Sequence, residues 1–451
     1  MNINEFRASV VKKAIYGQLV PQDKTEGTSS ELLLQILKEK KEKKEKKKIQ
    51  AISMIKKNSK GIYYEHFEDG SLREVEEVFE IPDSWNFTPL SNVIELISGR
   101  DLRSKQYSEE VIGIPYLTGA SNFSNSELII NRYTNEPAVI ALKGDLLITV
   151  KGTIGEMAYL NLPEAHIARQ IMAIRSEYIS LPYIKIFLEY YVEKLKFKAR
   201  SLIPGISRDD LLDALIPIPP LKEQSRIVKA VETCFTFADL VEKRQILTKQ
   251  FKIDLKAALL NEVIRGNLVT QNAGEESVVS KLKLLNIKNE LLEDEPYKLP
   301  NGWVWAKLKT ISKTIKAGGD KPKEVSSVKT DEFPFPIYAN GAKNNGLYGY
   351  SKEAKITEPS LTVSARGTIG FSVVRREPYT PIVRLINIVP NDDLICLEYL
   401  KIVFDAIYTV GNGTSIPQLT VPQVKEKLIP VPPLQEQKRI IAVYEKLITN
   451  T

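Results

Sequence analysis

One signature occurs twice in this chain. Ile216-Pro217-Ile218-Pro219-Pro220-Leu221-Lys222-Glu223-Gln224 returns 213 residues later as Ile429-Pro430-Val431-Pro432-Pro433-Leu434-Gln435-Glu436-Gln437. Three further matches keep the same order. Ile81-Pro82-Asp83-Ser84-Trp85 returns as Leu299-Pro300-Asn301-Gly302-Trp303 at an offset of 218. Lys151-Gly152-Thr153-Ile154-Gly155 returns as Arg366-Gly367-Thr368-Ile369-Gly370 at 215, and at that offset Arg169 matches Arg384. Ser201-Leu202-Ile203-Pro204 returns as Thr414-Ser415-Ile416-Pro417 at 213. Ordered matches with slowly drifting offsets mean two copies of one domain within 451 residues.

A further similarity gives the arrangement. Leu255-Lys256-Ala257-Ala258 through Ile264-Arg265-Gly266-Asn267-Leu268-Val269 resembles Phe6-Arg7-Ala8-Ser9 through Ile15-Tyr16-Gly17-Gln18-Leu19-Val20. The segment after the first domain in mid-chain therefore has its counterpart before that domain, at the N-terminus. The repeat is circularly permuted: helix end, domain, full helix, domain, helix start. From Gly17 to Trp85 the chain carries 31 more residues than from Gly266 to Trp303.

Between Lys222 and Arg265 lie 44 residues without proline or glycine, with apolar side chains at Ile227, Val231, Phe235, Ala238, Val241, Leu247, Phe251, Leu255, Leu259 and Val263. This predicts one long amphipathic helix whose stripe is packed, about 66 Å at 1.5 Å per residue. Pro219-Pro220 suits its start and Gly266 its end. The C-terminal copy, Leu434 to Thr451, spans 18 residues, with a stripe at Ile440, Ile441, Tyr444, Leu447 and Ile448. An antiparallel coil of the central helix with the two terminal helices would bury all three stripes. The repeated domains mix short β-like runs, such as Asp145 to Val150 and Ser360 to Val363, with helical segments Tyr183 to Lys198 and Leu397 to Ile407, which predicts an α+β class.

The expected organisation is an N-terminal helix (1–20), a charged helical linker (21–80), a first module (81–220), the long helix (221–266), a linker (267–298), a second module (299–433) and a C-terminal helix (434–451). Two cysteines and two histidines leave little for a disulfide framework, a zinc cage or a histidine-based relay. No apolar run of membrane-spanning length occurs, and a cytoplasmic setting is expected. The net charge of +7 is concentrated: Lys38 to Lys48 holds eight lysines and three glutamates, which leaves +2 for the rest. That run reads first as a solvated helix face.

The doubled I-P-[IV]-P-P-L-x-E-Q, the repeated [KR]-G-T-I-G, the tryptophan opening each domain and the permuted helices together resemble the DNA-specificity subunit of type I restriction–modification systems. The resemblance spans essentially the whole chain. It implies two pseudo-repeated target-recognition domains that each read half of a split target in double-stranded DNA, and helices that set the spacing and dock two modification (methyltransferase) subunits. It also implies S-adenosylmethionine on those subunits, ATP and Mg²⁺ on restriction (endonuclease/translocase) subunits, and no cofactor on this chain.

Base recognition needs donors and acceptors on loops that reach a groove, with cations that position them on phosphate. In the first module Gly99 to Lys105 and Tyr116 to Asn122 offer Arg100, Arg103, Lys105, Thr118, Ser121 and Asn122. In the second, Lys316 to Lys323 and Tyr338 to Asn345 offer Lys316, Lys321, Lys323, Asn340, Lys343 and Asn344. Such loops also serve as ordinary surface turns; their matching positions in both copies favour recognition. Lys151 and Arg366 could present a cation and backbone N–H groups to phosphate, although an isolated glycine pair is more often a tight turn. Arg169 and Arg384 sit inside apolar strand-like runs, where an arginine either pairs with a carboxylate or faces a ligand.

The Pro-Pro pairs lack the polar residue before them and the aromatic after them that adenine methylation uses, and no phosphate-cradling loop is present. The chain is therefore expected to be non-catalytic, with half-site spacing set by helix length. A coiled-coil assembly scaffold with repeated protein-binding domains, or a hydrolase using paired carboxylates, are the alternatives.

Overall fold

The computed structural model describes residues 2–44, 53–58, 61–67, 69–75, 78–198, 205–288, 295–410 and 418–449. The residues form two compact units, Met1–Arg244 and Gln245–Thr451, and the division falls inside the helix Leu221–Arg265. The repeated Ser201–Pro204 and Thr414–Pro417 motifs lie outside the described residues, as does the end of the lysine run.

In the first unit a four-stranded antiparallel sheet runs in the order Met157–Tyr159, Leu146–Thr149, Ile171–Arg175, Glu95–Ser98. Every residue of Leu146–Thr149 is buried, because both faces of the strand are covered. Leu146 and Ile148 join a core with Tyr183 and Phe187 of the helix Leu181–Lys198, and Leu147 joins a second core with Leu117, Ala141 and Ile167. Those last three belong to a second sheet, in which Glu164–Ile167 runs parallel to Ile114–Leu117. Each fully buried leucine or isoleucine contributes roughly 1.5–3 kcal/mol.

The second unit repeats this plan. Ser372–Arg375, Ser360–Val363, Ile386–Pro390 and Ser312–Ala317 form the matching four-stranded sheet, and Thr380–Pro381 runs parallel to Phe335–Tyr338 in the other. The helix Leu397–Val410 closes the core through Tyr399 and Phe404.

The doubled proline signature is a mechanical joint. Leu215–Ile218 pairs antiparallel with Asn86–Pro89 and Leu428–Val431 with Val304–Lys307, two-stranded ribbons that tolerate proline. The glutamine that ends the motif then ties the ribbon to the module. Gln224 donates to the Pro219 carbonyl (2.9 Å) and accepts from the Ser180 N–H (2.9 Å). Gln437 does the same with Pro432 (2.8 Å) and Cys396 (2.7 Å). Where the preceding helix turns off, Gly17 (φ +67°) and Gly266 (φ +74°) each leave 2.4 Å between an imagined Cβ and the Pro82 or Pro300 ring, so only glycine fits.

The helix Leu221–Arg265 has 45 residues, about 67 Å. Ile227, Val231 and Ala238 are buried in the first unit, and Leu260 and Val263 in the second. In the first unit Ile227 and Val231 share a core with Val10, Ala14 and Ile15 of the N-terminal helix. In the second, Leu260 and Val263 share one with Ile440 and Tyr444 of the C-terminal helix. The stripe was expected to be packed throughout, yet Leu247 and Phe251 are 60% and 62% exposed. Each unit's core reaches only its own end of the helix.

The segment 21–80, expected as a helical linker, holds the helix Ser29–Lys44 and then a three-stranded antiparallel sheet, Ser53–Lys57, Tyr63–Phe67 and Leu72–Glu74. The sheet forms because Glu65, buried between strands, bonds Ser53 (2.6 Å) and the Arg73 guanidinium (Nε, 3.0 Å), while Tyr63 packs edge-on against Phe87. The 267–298 linker likewise carries a helix, Val278–Leu284. No helix among the described residues is long and apolar enough to cross a membrane.

Candidate nucleic-acid interface

Backbone hydrogen bonds gather the first module's candidate loops around one turn. Strands Glu164–Ile167 and Ile171–Arg175 are joined by a turn closed by the Ile171 N–H on the Ala168 carbonyl (2.9 Å). To it come Gly99 (N–H to Ile171 O, 3.1 Å), Arg100 (N–H to Ile167 O, 2.9 Å) and Leu117 (O from Ala168 N–H, 2.9 Å). Val150 donates to Gln170 O (2.8 Å) and accepts from Ile206 (2.8 Å). A Cβ on Gly99 would stand 2.1 Å from the Ala168 oxygen, so that approach is open only to glycine.

The second module builds the same node. Its turn closes with the Leu385 N–H on Ile382 O (3.0 Å); Gly318 donates to Leu385 O (2.7 Å), Ile382 to Tyr338 O (2.9 Å), and Leu419 to Ala365 O (2.9 Å). Asn340 fastens two of these segments, donating to Val383 O (2.7 Å) and accepting from the Ala365 N–H (2.7 Å). Val383 (φ +52°) and Arg384 (φ +61°) are both left-handed. For a β-branched residue this is a strained conformation, of order 1–3 kcal/mol.

These bonds correct one sequence correspondence. Gly99 with Ile171 matches Gly318 with Leu385, and Leu117 with Ala168 matches Tyr338 with Ile382. Arg384 is therefore the counterpart of Gln170, and Arg169 that of Val383, an offset of 214. The intervening hairpin is one residue shorter in the second module: Gly155 to His166 spans 11 steps and Gly370 to Thr380 spans 10. Nor do the two arginines sit within strands; both are exposed on the turn.

The remaining candidates divide by what they touch. Arg100, Arg103, Lys105, Ser121 and Lys151 are exposed, as are Lys316, Lys321, Lys323, Lys343, Asn344 and Arg366. Arg169 is an ion-pair partner of Asp101 (Nε to Oδ2, 2.7 Å). Lys321 lies 5.0 Å from the centre of the Tyr348 ring, and Arg366 donates to Gln418 Oε1 (Nε, 3.0 Å). Asn122 is fully buried: its Oδ1 accepts from Thr118 N (2.8 Å) and its Nδ2 donates to Ile129 O (2.8 Å). It shapes the loop and has no atom left for DNA. Half-buried Thr118 spends its hydroxyl on the same Asn122 (3.2 Å). The glycine turns after Val150 and Ala365 have a packing role as well, for Gly155 seats against Val192 and Gly370 against Tyr408.

Residue-by-residue reading missed three further members. Gln170 stands beside the arginine that drew attention. His166 is buried under the node, with Nε2 2.8 Å from the Arg100 carbonyl oxygen and Nδ1 2.8 Å from the Val139 carbonyl oxygen and 3.1 Å from the Val139 nitrogen. Burial holds its pKa below the ordinary histidine value, against the raising effect of the Val139 and Arg100 carbonyls. Arg375 is buried 3.5 Å from the centre of the Tyr338 ring and donates to Thr362 Oγ1 (3.1 Å) and to the Asn345 carbonyl, anchoring the loop Lys343–Gly346. Burial pulls its pKa down. None of these carries a signal in local pattern, since each is defined by a partner distant in sequence.

In both units, then, loop cations and amides surround a turn whose second residue is long, polar and exposed. Such a surface can place cations on phosphate and one side chain toward a base edge.

Comparison with known proteins gives a consistent result. The family described as "Type I restriction modification DNA specificity domain" matches residues 82–249 and 300–451. A Mycoplasma pneumoniae protein assigned as type I specificity subunit S.MpnORF89P is 32% identical over 264 residues, 58% of this chain and 72% of that protein. The Escherichia coli type I restriction enzyme EcoAI specificity subunit is 22% identical over 554 aligned positions, 99% of this chain and 89% of its own. Among solved structures, the crystal structure of an HsdS subunit from Thermoanaerobacter tengcongensis aligns with a TM-score of 0.55 at 17% identity, over 83% of this chain and 91% of that one. A chain from a study of type I system assembly and conformational transition aligns at 0.63 and 18%, over 83% and 92%.

Proposed function

This chain belongs to the type I restriction–modification DNA specificity family, and we propose that it is the subunit that selects the DNA sequence on which a modification and restriction complex acts. Each module reads one half of a split target, and the central helix sets the spacer. The observation that carries this reading is the node built twice: the same backbone bonds bring loop cations around an exposed turn in both units. The chain itself is non-catalytic and works in the cytoplasm. Two modification subunits bring S-adenosylmethionine, and restriction subunits bring ATP and Mg²⁺. Docking of those partners is supported by apolar side chains on the central helix that are each more than half exposed, Phe237 and Leu240 in the first unit and Ile246, Leu247, Phe251 and Ile253 in the second.

The test is selection from a random duplex pool by the complex with its modification subunits, at moderate and stated salt. A two-part sequence with a fixed gap is expected. Inserting one helical turn after Lys249 should lengthen the gap and leave the letters of both halves unchanged. Absence of any enriched sequence would favour a protein-binding scaffold, and an insertion that changed the letters would overturn the spacer role.

A further inference from the structure

We infer that Gln170 and Arg384 are the equivalent base-reading residues of the two modules, and that the two half-sites therefore differ in kind at that place: adenine in the first and guanine in the second. The inference rests on the function proposed above and deepens it. Both residues hold the second position of the turn around which each node is built, as the paired bonds from Gly99 and Gly318, and from Ala168 and Ile382, establish. Both are exposed. Three of their neighbours on the node are otherwise engaged: Arg169 with Asp101, Arg366 with Gln418, Asn340 with Val383 and Ala365. Among the described residues, neither the Gln170 amide nor the Arg384 guanidinium has a hydrogen-bonding or ionic partner.

Backbone geometry singles out the same position. The Gln170 side chain runs over Gly119, its Oε1 2.2 Å from where a Cβ there would stand, and lies 3.9 Å from that of Gly152, so it spans two loops of the node. Val383 and Arg384 hold a left-handed pair that asparagine–glycine would fill without strain. A strained turn ending in an unpaired arginine is explained if the arginine is needed there. The chemistry of the bases then assigns the letters. A glutamine amide donates and accepts side by side, which matches adenine N7 and N6–H₂; a guanidinium donates twice, which matches guanine O6 and N7.

The test uses the assembled complex with its modification subunits and the same random duplex pool, comparing wild type with Gln170→Ala, Arg384→Ala, Arg384→Gln and Arg384→Gly. Gln170→Ala should lose adenine preference at one position of the first half-site, and Arg384→Ala guanine preference at one position of the second. Each loss should be about 5- to 150-fold, the worth of one bidentate base contact. Arg384→Gln should move that position toward adenine. Arg384→Gly should lose the same letter while raising the melting temperature, which a purely structural arginine would not do. If wild type selects a split target and Arg384→Ala selects the identical one, this inference is overturned and the proposed function stands. If wild type selects nothing, both fall.

Discussion

The indole Nε1 of Trp85 donates to the carboxylate of Glu223 at 3.0 Å, joining the opening of the first module to the start of the central helix. Gln22 Nε2 donates to the same carboxylate at 2.6 Å, as Gln271 does to Glu436 at 3.2 Å in the second unit. Glu223→Ala would leave a buried indole N–H without an acceptor, so it should destabilise the first unit by about 1–3 kcal/mol. Chemical denaturation, read as a midpoint shift at constant slope, measures this. No change would mean that the latch contributes nothing.

Burial raises the Glu223 pKa above the ordinary carboxylate value, against the lowering effect of Trp85 and Gln22. A raised folded-state value means that this group's contribution is fully present below its unfolded pKa and is lost as pH rises through the folded one. Glu223→Gln should therefore flatten the fall in first-unit stability on the alkaline side of pH 4.5, the ordinary value for a glutamate. Melting curves at stepped pH for both proteins check the sign.

His166 works in the opposite sense. Its depressed pKa makes its contribution complete above the ordinary value of 6.5 and lost as pH falls through the folded value. Because burial disfavours the charged ring that packs between the Arg100 and Val139 carbonyls, acidification from neutrality should loosen the Arg100 loop before its counterpart in the second module, where Thr380 takes the place of His166 in the parallel pairing. Hydrogen exchange across the range would register it. Equal acid sensitivity of the two loops would count against it.

Gly99→Ala should weaken recognition of the first half-site alone, and Gly318→Ala that of the second. An added Cβ would stand 2.1 Å from the Ala168 oxygen in one case and 2.6 Å from the Pro381 carbonyl carbon in the other, pushing the loop off its turn. Binding to duplexes altered in one half at a time separates the two effects.

Lys151→Ala and Lys343→Ala should weaken binding to all duplexes alike. Each should reduce the magnitude of the slope of log affinity against log salt by about 0.9, with no change in the letters selected. A change in letters would reassign the lysine from phosphate to base.

The repeat, its permutation and the long helix were legible in the chain itself, because proline, glycine and apolar spacing act over a few residues and leave a local record. Pro219-Pro220 and Gly266 bracket the helix as their backbone chemistry requires, and the basic loops were visible as composition. Tertiary structure alone decided which residues those loops meet. Asn122 looked like a contact and is a buried brace; Gln170 was not singled out and holds the position equivalent to that of Arg384; the segment after the lysine run became a sheet because Glu65 has Ser53 and Arg73 as partners. Each of these outcomes depends on strand register and burial between residues far apart in sequence, and a hairpin one residue shorter is enough to move an arginine from one role to its neighbour's.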